Sequence, residues 1–317
     1  MDARIHAAAG KPTRQANGFV SHDARDTVAL EDPSGNRLSI SAMFPLLDAA
    51  LNWSSTPSPS SSVDQSAGRF VLITDVVRAD GSFLLHHFIG RHLRIEEGPG
   101  WNVVLVGLAQ AFNHYLLIGK KLGVNLTSYE RKGRFAFLDG LSNVRAASGP
   151  FANTNAKGPT SIQQSAKRYP DVQNLFANIL AAVSSRVQDG SKPCIVIDDL
   201  TMLLYSGAPL VDLLTFISSL NAYVGQHNGC LVVLVHNDTS SGDVRQAAMC
   251  KSLSHLADYV LEVQGLESGA TQGLHGQLTL GRGPPLNDTS FSPHVLHYRL
   301  ADAGVQFFKK GYSTGVL

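Results

Sequence analysis

Acidic and imidazole side chains follow several apolar segments that the sequence predicts to be buried strands. In an open parallel sheet, ligands bind at the carboxyl ends of the strands, so these side chains would meet at one edge. Carboxylates at such a position can hold a magnesium-bound water, and a histidine there can act as a general base. The residues are Asp75, Asp139, Asp198, Asp199, His236, Asn237 and Asp238.

The loop after the first predicted strand, residues 75–82, occupies the place of a phosphate-binding loop. The template GxxxxGK[ST] binds phosphates through backbone N–H groups and a lysine. Here Asp75 and Asp80 stand at the glycine positions, Gly81 stands at the lysine position, and Ser82 retains the hydroxyl. Because two carboxylates would repel a triphosphate, we expect a degenerate loop. The other reading is an ordinary strand–helix turn capped by Asp80 or Ser82.

Asp198 and Asp199 end an apolar strand, as the second acidic motif of a phosphate-loop site does. Without a phosphate loop, these carboxylates have no bound nucleotide and metal to position. The motif therefore indicates descent from phosphate-loop proteins and is not evidence of a working nucleotide site. Strand-end aspartates also cap the turn that follows, and both readings stay open. His236 has two readings as well, a general base or a hydrogen-bonded structural residue.

No pattern of cysteines or histidines predicts a metal site. Cys194, Cys230 and Cys250 are far apart and form no CxxC pair, and no HExxH motif is present. His86 and His87 are adjacent, so on a helix they point about 100° apart and do not readily share one metal ion. We therefore expect no metal and no catalytic residues.

Two groups of basic residues are candidates for RNA contacts. The first is Arg245 with Lys251, beyond a flexible loop that follows the strand ending at His236. The second is the densest basic cluster of the chain, in which Tyr129 is a candidate platform for base stacking. For both groups the alternative is a solvated helix end, where cations favour the helix dipole. The cluster contains Lys120, Lys121, Arg131, Lys132 and Arg134.

Composition limits the functional classes. The 317 residues include 26 Lys+Arg and 25 Asp+Glu, a net charge of +1, so nucleic-acid binding must come from a local patch. The charged content of 16% lies below the average of about 25%, which favours a surface partly covered by other protein. The apolar runs are too short to span a membrane. Unpaired cysteines favour the cytosol, and residence in the nucleus is compatible with the same features.

Strand and helix patterns alternate through most of the chain and then give way to strands alone. We expect one α/β domain with a mostly parallel central sheet, helices on its faces and antiparallel strands at its C-terminal end. The expected strands are 70–74, 102–106, 135–139, 194–199, 230–235, 258–264, 276–281, 294–300 and 304–308. The expected helices are 83–95, 111–122, 171–187, 209–226 and 244–256.

The domain begins at residue 69 in this reading and runs to residue 317. Residues 1–42 are predicted to be a disordered extension. Residues 43–68 are predicted to comprise a short amphipathic helix, 43–51, and a Ser/Pro-rich linker, 54–66. Residues 141–168 are predicted to be a long loop, either functional or mobile.

A series of short motifs, in order and at characteristic spacing, resembles the Elongator complex protein 6 family. The resemblance covers residues 43–317 and includes a start at Met43. The motifs are DGSFLLHHF at 80–88, FNHY at 112–115, GKKLGV at 119–124, VIDDL at 196–200, VLVH at 233–236, LHGQL at 274–278 and FFKKG at 307–311.

The resemblance implies a RecA-like ATPase fold that lacks the phosphate-loop (Walker A) signature. Members are implied to form a heterohexameric ring with Elongator proteins 4 and 5, two copies of each. That ring is implied to dock on the larger catalytic Elongator assembly and to bind tRNA during modification of the wobble uridine, U34. The chain would then be a non-catalytic subunit without its own cofactor, with ATP bound only at interfaces shared within the ring. The alternative is a stand-alone RecA-like ATPase.

Overall fold

The computed structural model describes residues 44–53, 66–95, 100–140, 170–186, 190–238, 242–266, 273–286, 291–301 and 304–309. The predicted extension 1–42, the linker up to residue 65 and the predicted loop 141–168 lie outside these ranges. Part of the candidate RNA loop after His236, residues 239–241, also lies outside them.

Nine strands form one sheet in the order β3-β2-β4-β5-β1-β6-β7-β8-β9. The pairs from β3 to β6 are parallel, and the pairs from β6 to β9 are antiparallel. This confirms the predicted fold class. The strands are β1 Arg69–Asp75, β2 Trp101–Gly107, β3 Phe135–Asp139, β4 Lys192–Asp198, β5 Cys230–His236, β6 Tyr259–Gln264, β7 Gly276–Arg282, β8 His294–Ala301 and β9 Gly304–Lys309.

The described helices pack on the two faces of the parallel part of the sheet. Two short helices, α4 and α6, were not predicted, because five or six residues are too few to show a helical period. The helices are α1 Pro45–Ala50, α2 Ser82–Arg94, α3 Phe112–Lys121, α4 Leu126–Arg131, α5 Val172–Ser184, α6 Thr201–Tyr205, α7 Leu210–Gln226 and α8 Val244–Leu256.

Continuous apolar runs explain the central strands. Every residue of β2 is buried, as expected for a parallel strand covered by helices on both faces. Two helix starts are set by side-chain caps: Asp171 accepts hydrogen bonds from two N–H groups at the start of α5, and Asp243 does the same for α8. Along β6 buried residues alternate with partly exposed ones, so one face of this part of the sheet is partly open to solvent.

Two apolar cores lie on opposite faces of the sheet, and one of them includes α1. Phe44, Leu47, Leu51 and Trp53 are at most 2% exposed and pack in the core under α2. The compact domain therefore includes residues 44–53, whereas the sequence placed its start at residue 69. None of the helices in the described ranges is long and apolar enough to cross a membrane.

Candidate functional site

Three neighbouring strands bring charged residues together at their carboxyl ends. β4, β5 and β1 are adjacent in the sheet. Asp75 and His236 are register partners at the ends of β1 and β5, and Asp198 ends β4. The predicted meeting of Asp75, Asp198, Asp199 and His236 is thus found. Asp139 lies at the exposed end of the edge strand β3, two strands from β4, and is not part of the cluster.

His236 is held between two buried carboxylates. Its Nδ1 contacts Oδ1 of Asp75, and its Nε2 lies 3.0 Å from Oδ2 of Asp199. Both carboxylate side chains are 1% exposed, whereas the imidazole is 40% exposed. Hydrogen bonds to Asp199 and Asp75 raise the pKa of His236 to about 10. Burial raises the pKa of Asp75, and its bonds to His236 and to Gly81 oppose that rise.

This arrangement bears on the two readings of His236, a general base or a structural residue. At neutral pH the ring is an imidazolium, both of its nitrogens carry protons, and it has no lone pair to accept another. A general base must be unprotonated at the working pH. His236 is therefore a cation that lies between the carboxylates of Asp75 and Asp199 and offsets one of their two charges, an arrangement that fits the structural reading.

Two N–H groups of the degenerate phosphate loop donate hydrogen bonds to carboxylates of the same loop. The N–H of Gly81 donates to Oδ2 of Asp75 at 2.8 Å, and the N–H of Ser82 donates to Oδ1 of Asp80 at 2.7 Å. The Ser82 hydroxyl also donates to Asp80, at 3.0 Å. In a working loop such N–H groups bind phosphate oxygens. The structure thus agrees with a strand–helix turn. The N-cap of α2 is Gly81, however, and not Asp80 or Ser82, and Asp80 binds the N–H of the first helical residue, Ser82.

Asp198 is buried and bonded to a neutral partner. Its side chain accepts a hydrogen bond from the Tyr115 hydroxyl at 2.7 Å, and the residue is 3% exposed. Burial raises the pKa of Asp198 to about 7, although the Tyr115 bond opposes the rise. Burial and the carboxylate of Asp198 raise the pKa of Tyr115 as well.

Asp199 has a local structural role. Its Oδ1 accepts a hydrogen bond from the N–H of Thr201 at 2.5 Å, at the start of α6. The Thr201 hydroxyl in turn accepts from the N–H of His236 at 2.8 Å. Of the two readings of the Asp198–Asp199 pair, capping of the next turn therefore describes Asp199.

The two candidate groups for RNA contacts lie in different surroundings. Arg245 and Lys251 are exposed on α8, and Arg245 forms an ion pair with Asp243 at 3.7 Å. In the second group, two cations lie near the ring of Tyr129. The Lys132 ammonium and the Arg134 guanidinium each lie 5.7 Å from the centre of its ring. The ring thus positions two cations, which leaves less of it for base stacking than the sequence indicated. The exposed cations are Lys120, Lys121, Arg131 and Lys132.

Two buried polar clusters were not predicted from the sequence. His92, Cys194 and Cys230 place their ligand atoms within 4.8 Å of one another, but Nδ1 of His92 already bonds to the Phe88 carbonyl at 2.7 Å. All three side chains are fully buried. The two cysteines are register partners on β4 and β5, a relationship that only the strand order reveals.

The second cluster anchors α1. Oδ1 of Asp48 lies 3.1 Å from Nε2 of His87 and 3.3 Å from a guanidinium nitrogen of Arg91. The His86 ring packs instead near Tyr115, and burial lowers the pKa of His86 to about 4. The two adjacent histidines thus point to different surroundings, as expected from their spacing. A sequence signal for the Asp48 cluster was present, since an acidic residue interrupts the apolar face of α1.

The fold and the site define a class. The chain is a RecA-like α/β protein whose phosphate-loop position is filled by its own carboxylates. An uncharacterized protein from Pyrococcus horikoshii, solved in complex with an unknown peptide, shares the fold with a TM-score of 0.52 at 13% identity, over 86% of this chain and 100% of that one. A KaiC-like protein from the same archaeon superposes with a TM-score of 0.48 at 14% identity, over 76% and 90% of the two chains.

Within that class, a family model described as Elongation complex protein 6 matches residues 44–302. The Elongator complex protein 6 of Xenopus tropicalis is 35% identical over 256 residues, which cover 79% of this chain and 93% of that protein. The chain belongs to the Elongator complex protein 6 family and is an Elongator subunit. The family resemblance noted from the sequence motifs is confirmed.

Proposed function

We propose that this chain is a non-catalytic subunit of an Elongator accessory ring. The ring is a heterohexamer with Elongator proteins 4 and 5, and it docks on the larger catalytic Elongator assembly. It binds tRNA and supports modification of the wobble uridine, U34, to 5-methoxycarbonylmethyl and 5-carbamoylmethyl uridine. The chemistry of that modification belongs to the catalytic assembly.

One observation supports the non-catalytic role above all others. The N–H groups of Gly81 and Ser82 donate to Asp75 and Asp80. A phosphate would have to displace two carboxylates from these donors and then lie beside their negative charge, and no lysine stands at position 81 to offset that charge. Asp75 and Asp80, which accept the hydrogen bonds of this turn, therefore oppose nucleotide binding by the chain alone.

The alternative, a stand-alone RecA-like ATPase, needs groups that this site does not present. A hydrolytic site requires a metal-holding carboxylate and a group that orients water. Asp198 is buried against Tyr115, Asp199 is paired with His236, and His236 is an imidazolium at neutral pH. We propose no cofactor for the chain itself. Any ATP would lie at an interface in which a neighbouring subunit supplies the phosphate-binding groups.

A rescue experiment tests the non-catalytic role. In cells that lack this protein, the amount of 5-methoxycarbonylmethyl uridine in total tRNA is measured by mass spectrometry of nucleosides. The wild-type chain should restore the modified nucleoside, and Asp198→Asn should restore it equally, because its side chain can still accept the Tyr115 hydrogen bond. A variant that is expressed and assembled but fails to restore modification would contradict the proposal. Failure of the wild-type chain to affect U34 would refute the role in tRNA modification.

A further inference from the structure

The amino edge of the parallel sheet is rich in cations. Strands begin at this edge and helices end there, and the described residues place many basic side chains along it. The described acids at the same edge are Glu130 and Asp258, and Asp258 pairs with Arg69. Among the described residues of this edge, cations therefore outnumber acids. The basic residues are Arg69, Arg94, Lys120, Lys121, Arg131, Lys132, Arg134, Arg186 and Lys192.

The carboxyl edge has the opposite character in the described part of the chain. Its cations are Arg78, His236 and Arg245, of which His236 lies between two carboxylates and Arg245 faces Asp243. Charge is thus segregated between the two edges, although the net charge of the chain is only +1. The acidic residues at this edge are Asp75, Asp80, Asp139, Asp171, Asp198, Asp199, Asp212, Asp238 and Asp243.

The cations of the amino edge are densest where α3, α4 and the start of β3 converge. Two arginines link neighbouring segments of this region through hydrogen bonds. Arg94 donates to the Leu122 carbonyl at 2.9 Å, and Arg134 donates to the Ile95 carbonyl at 2.9 Å. Four exposed cations lie at the ends of α3 and α4, and we call them the amino-edge patch. They are Lys120, Lys121, Arg131 and Lys132.

Helix dipoles alone do not explain this density. A cation near a helix C-terminus is stabilised by about 0.3–1 kcal/mol, and the effect fades within one turn. Arg94 already binds a carbonyl at the end of α3, and Lys132 packs on the ring of Tyr129 instead of extending along α4. Keeping several like charges together costs repulsion, and a bound polyanion would offset that cost.

We propose that the amino-edge patch binds the phosphate backbone of RNA, so that RNA lies along the amino edge of this subunit and not at its carboxyl edge. The inference rests on the proposed function, because it assigns a surface to the tRNA binding proposed there. Lysine and arginine neutralise phosphates without reading bases. Since the Tyr129 ring packs against two cations, contacts at the patch depend on charge and shape and discriminate little among sequences.

The test uses the ring assembled with its Elongator partners and a fluorescently labelled tRNA. Binding is measured by anisotropy from 50 to 200 mM salt. Lys120→Gln, Lys121→Gln and Arg131→Gln are combined in one chain. The matched control combines Arg78→Gln, Arg299→Gln and Lys309→Gln, which removes the same charge from exposed positions outside the patch.

The patch variant should bind tRNA at least about tenfold more weakly at low salt, and its salt slope should fall by roughly 2. The control should keep the wild-type slope. If the wild-type ring binds tRNA and the patch variant binds equally well, the surface assignment is wrong and the proposed function stands. If the wild-type ring binds no tRNA, the RNA part of the proposed function fails. If the patch variant no longer assembles, the patch is a protein interface and the inference is overturned.

Discussion

One carboxylate, Asp75, joins the degenerate phosphate loop to the cation of the neighbouring strand. Its Oδ2 accepts the Gly81 N–H at 2.8 Å, and its Oδ1 contacts Nδ1 of His236. The Gly81 N–H, which could otherwise bind a phosphate, thus donates to the Asp75 carboxylate. The same carboxylate is paired with His236. The ends of these strands therefore carry an ion cluster.

The first prediction concerns nucleotide binding. A ligand that binds only the folded state at one hundred times its dissociation constant stabilises it by about 2.7 kcal/mol. Because Asp75 and Asp80 occupy the loop donors, we expect millimolar MgATP to leave the thermal midpoint of the purified chain unchanged. A clear upward shift that Asp198→Asn abolishes would instead favour the stand-alone ATPase.

The second prediction is that His236→Ala destabilises the chain by about 2 kcal/mol at pH 7. Removing one partner of a buried ion pair costs roughly 3–5 kcal/mol, and we reduce that figure because the imidazole is 40% exposed. The raised pKa of His236, about 10, means that its stabilisation is full below about pH 6.5 and is lost as the pH rises through 10. The difference between wild type and variant should therefore shrink progressively from about pH 6.5 to pH 10.

Urea unfolding from pH 6 to 10 measures this second prediction. His255→Ala, at an exposed position on α8, is the control and should change stability little at any pH. A His236→Ala variant as stable as wild type at pH 7 would show that the ion cluster does not hold the three strand ends together.

The third prediction is that Asp198→Asn becomes more favourable relative to wild type as the pH rises. The folded-state pKa of Asp198, about 7, lies above its ordinary value of 3.8. The carboxyl therefore contributes most below about pH 4, and the contribution is lost as the pH rises through 7. From pH 4 to pH 8 the variant should gain roughly 2–4 kcal/mol relative to wild type. A difference independent of pH, measured by denaturant unfolding, would contradict the raised pKa.

The fourth prediction concerns the anchoring of α1. Asp48→Asn removes the charge that faces His87 and Arg91 in a buried site, and we expect a loss of about 3 kcal/mol of unfolding free energy. Asp212→Asn, at an exposed position in the first turn of α7, should cost only a few tenths of a kcal/mol. Equal effects of the two substitutions would show that Asp48 does not anchor α1.

The fold class and the helix and strand alternation could be predicted because the relevant signals are local. The apolar runs of β1, β4 and β5 are continuous, and the change to strands alone after α8 marks the antiparallel end of the sheet. The gathering of Asp75, Asp198 and His236 followed from the rule that parallel strands end at one edge. The loss of the phosphate loop could be read from the residues at positions 75, 80 and 81.

What the sequence could not show depends on contacts between distant residues. The protonated state of His236 requires two carboxylates from different strands, and the Cys194–Cys230 pairing requires the strand order. The segregation of charge between the two sheet edges is likewise invisible in a net charge of +1. α1 was separated from the domain because a Ser/Pro-rich stretch follows it, whereas Phe44 and Trp53 in fact lie in the core.

Native mass spectrometry of the tagged protein purified from its own cells tests the central claim most directly. The account predicts a six-membered assembly that contains this chain and two other RecA-like chains, with two copies of each. A lone monomer, or an oligomer of this chain only, would contradict it.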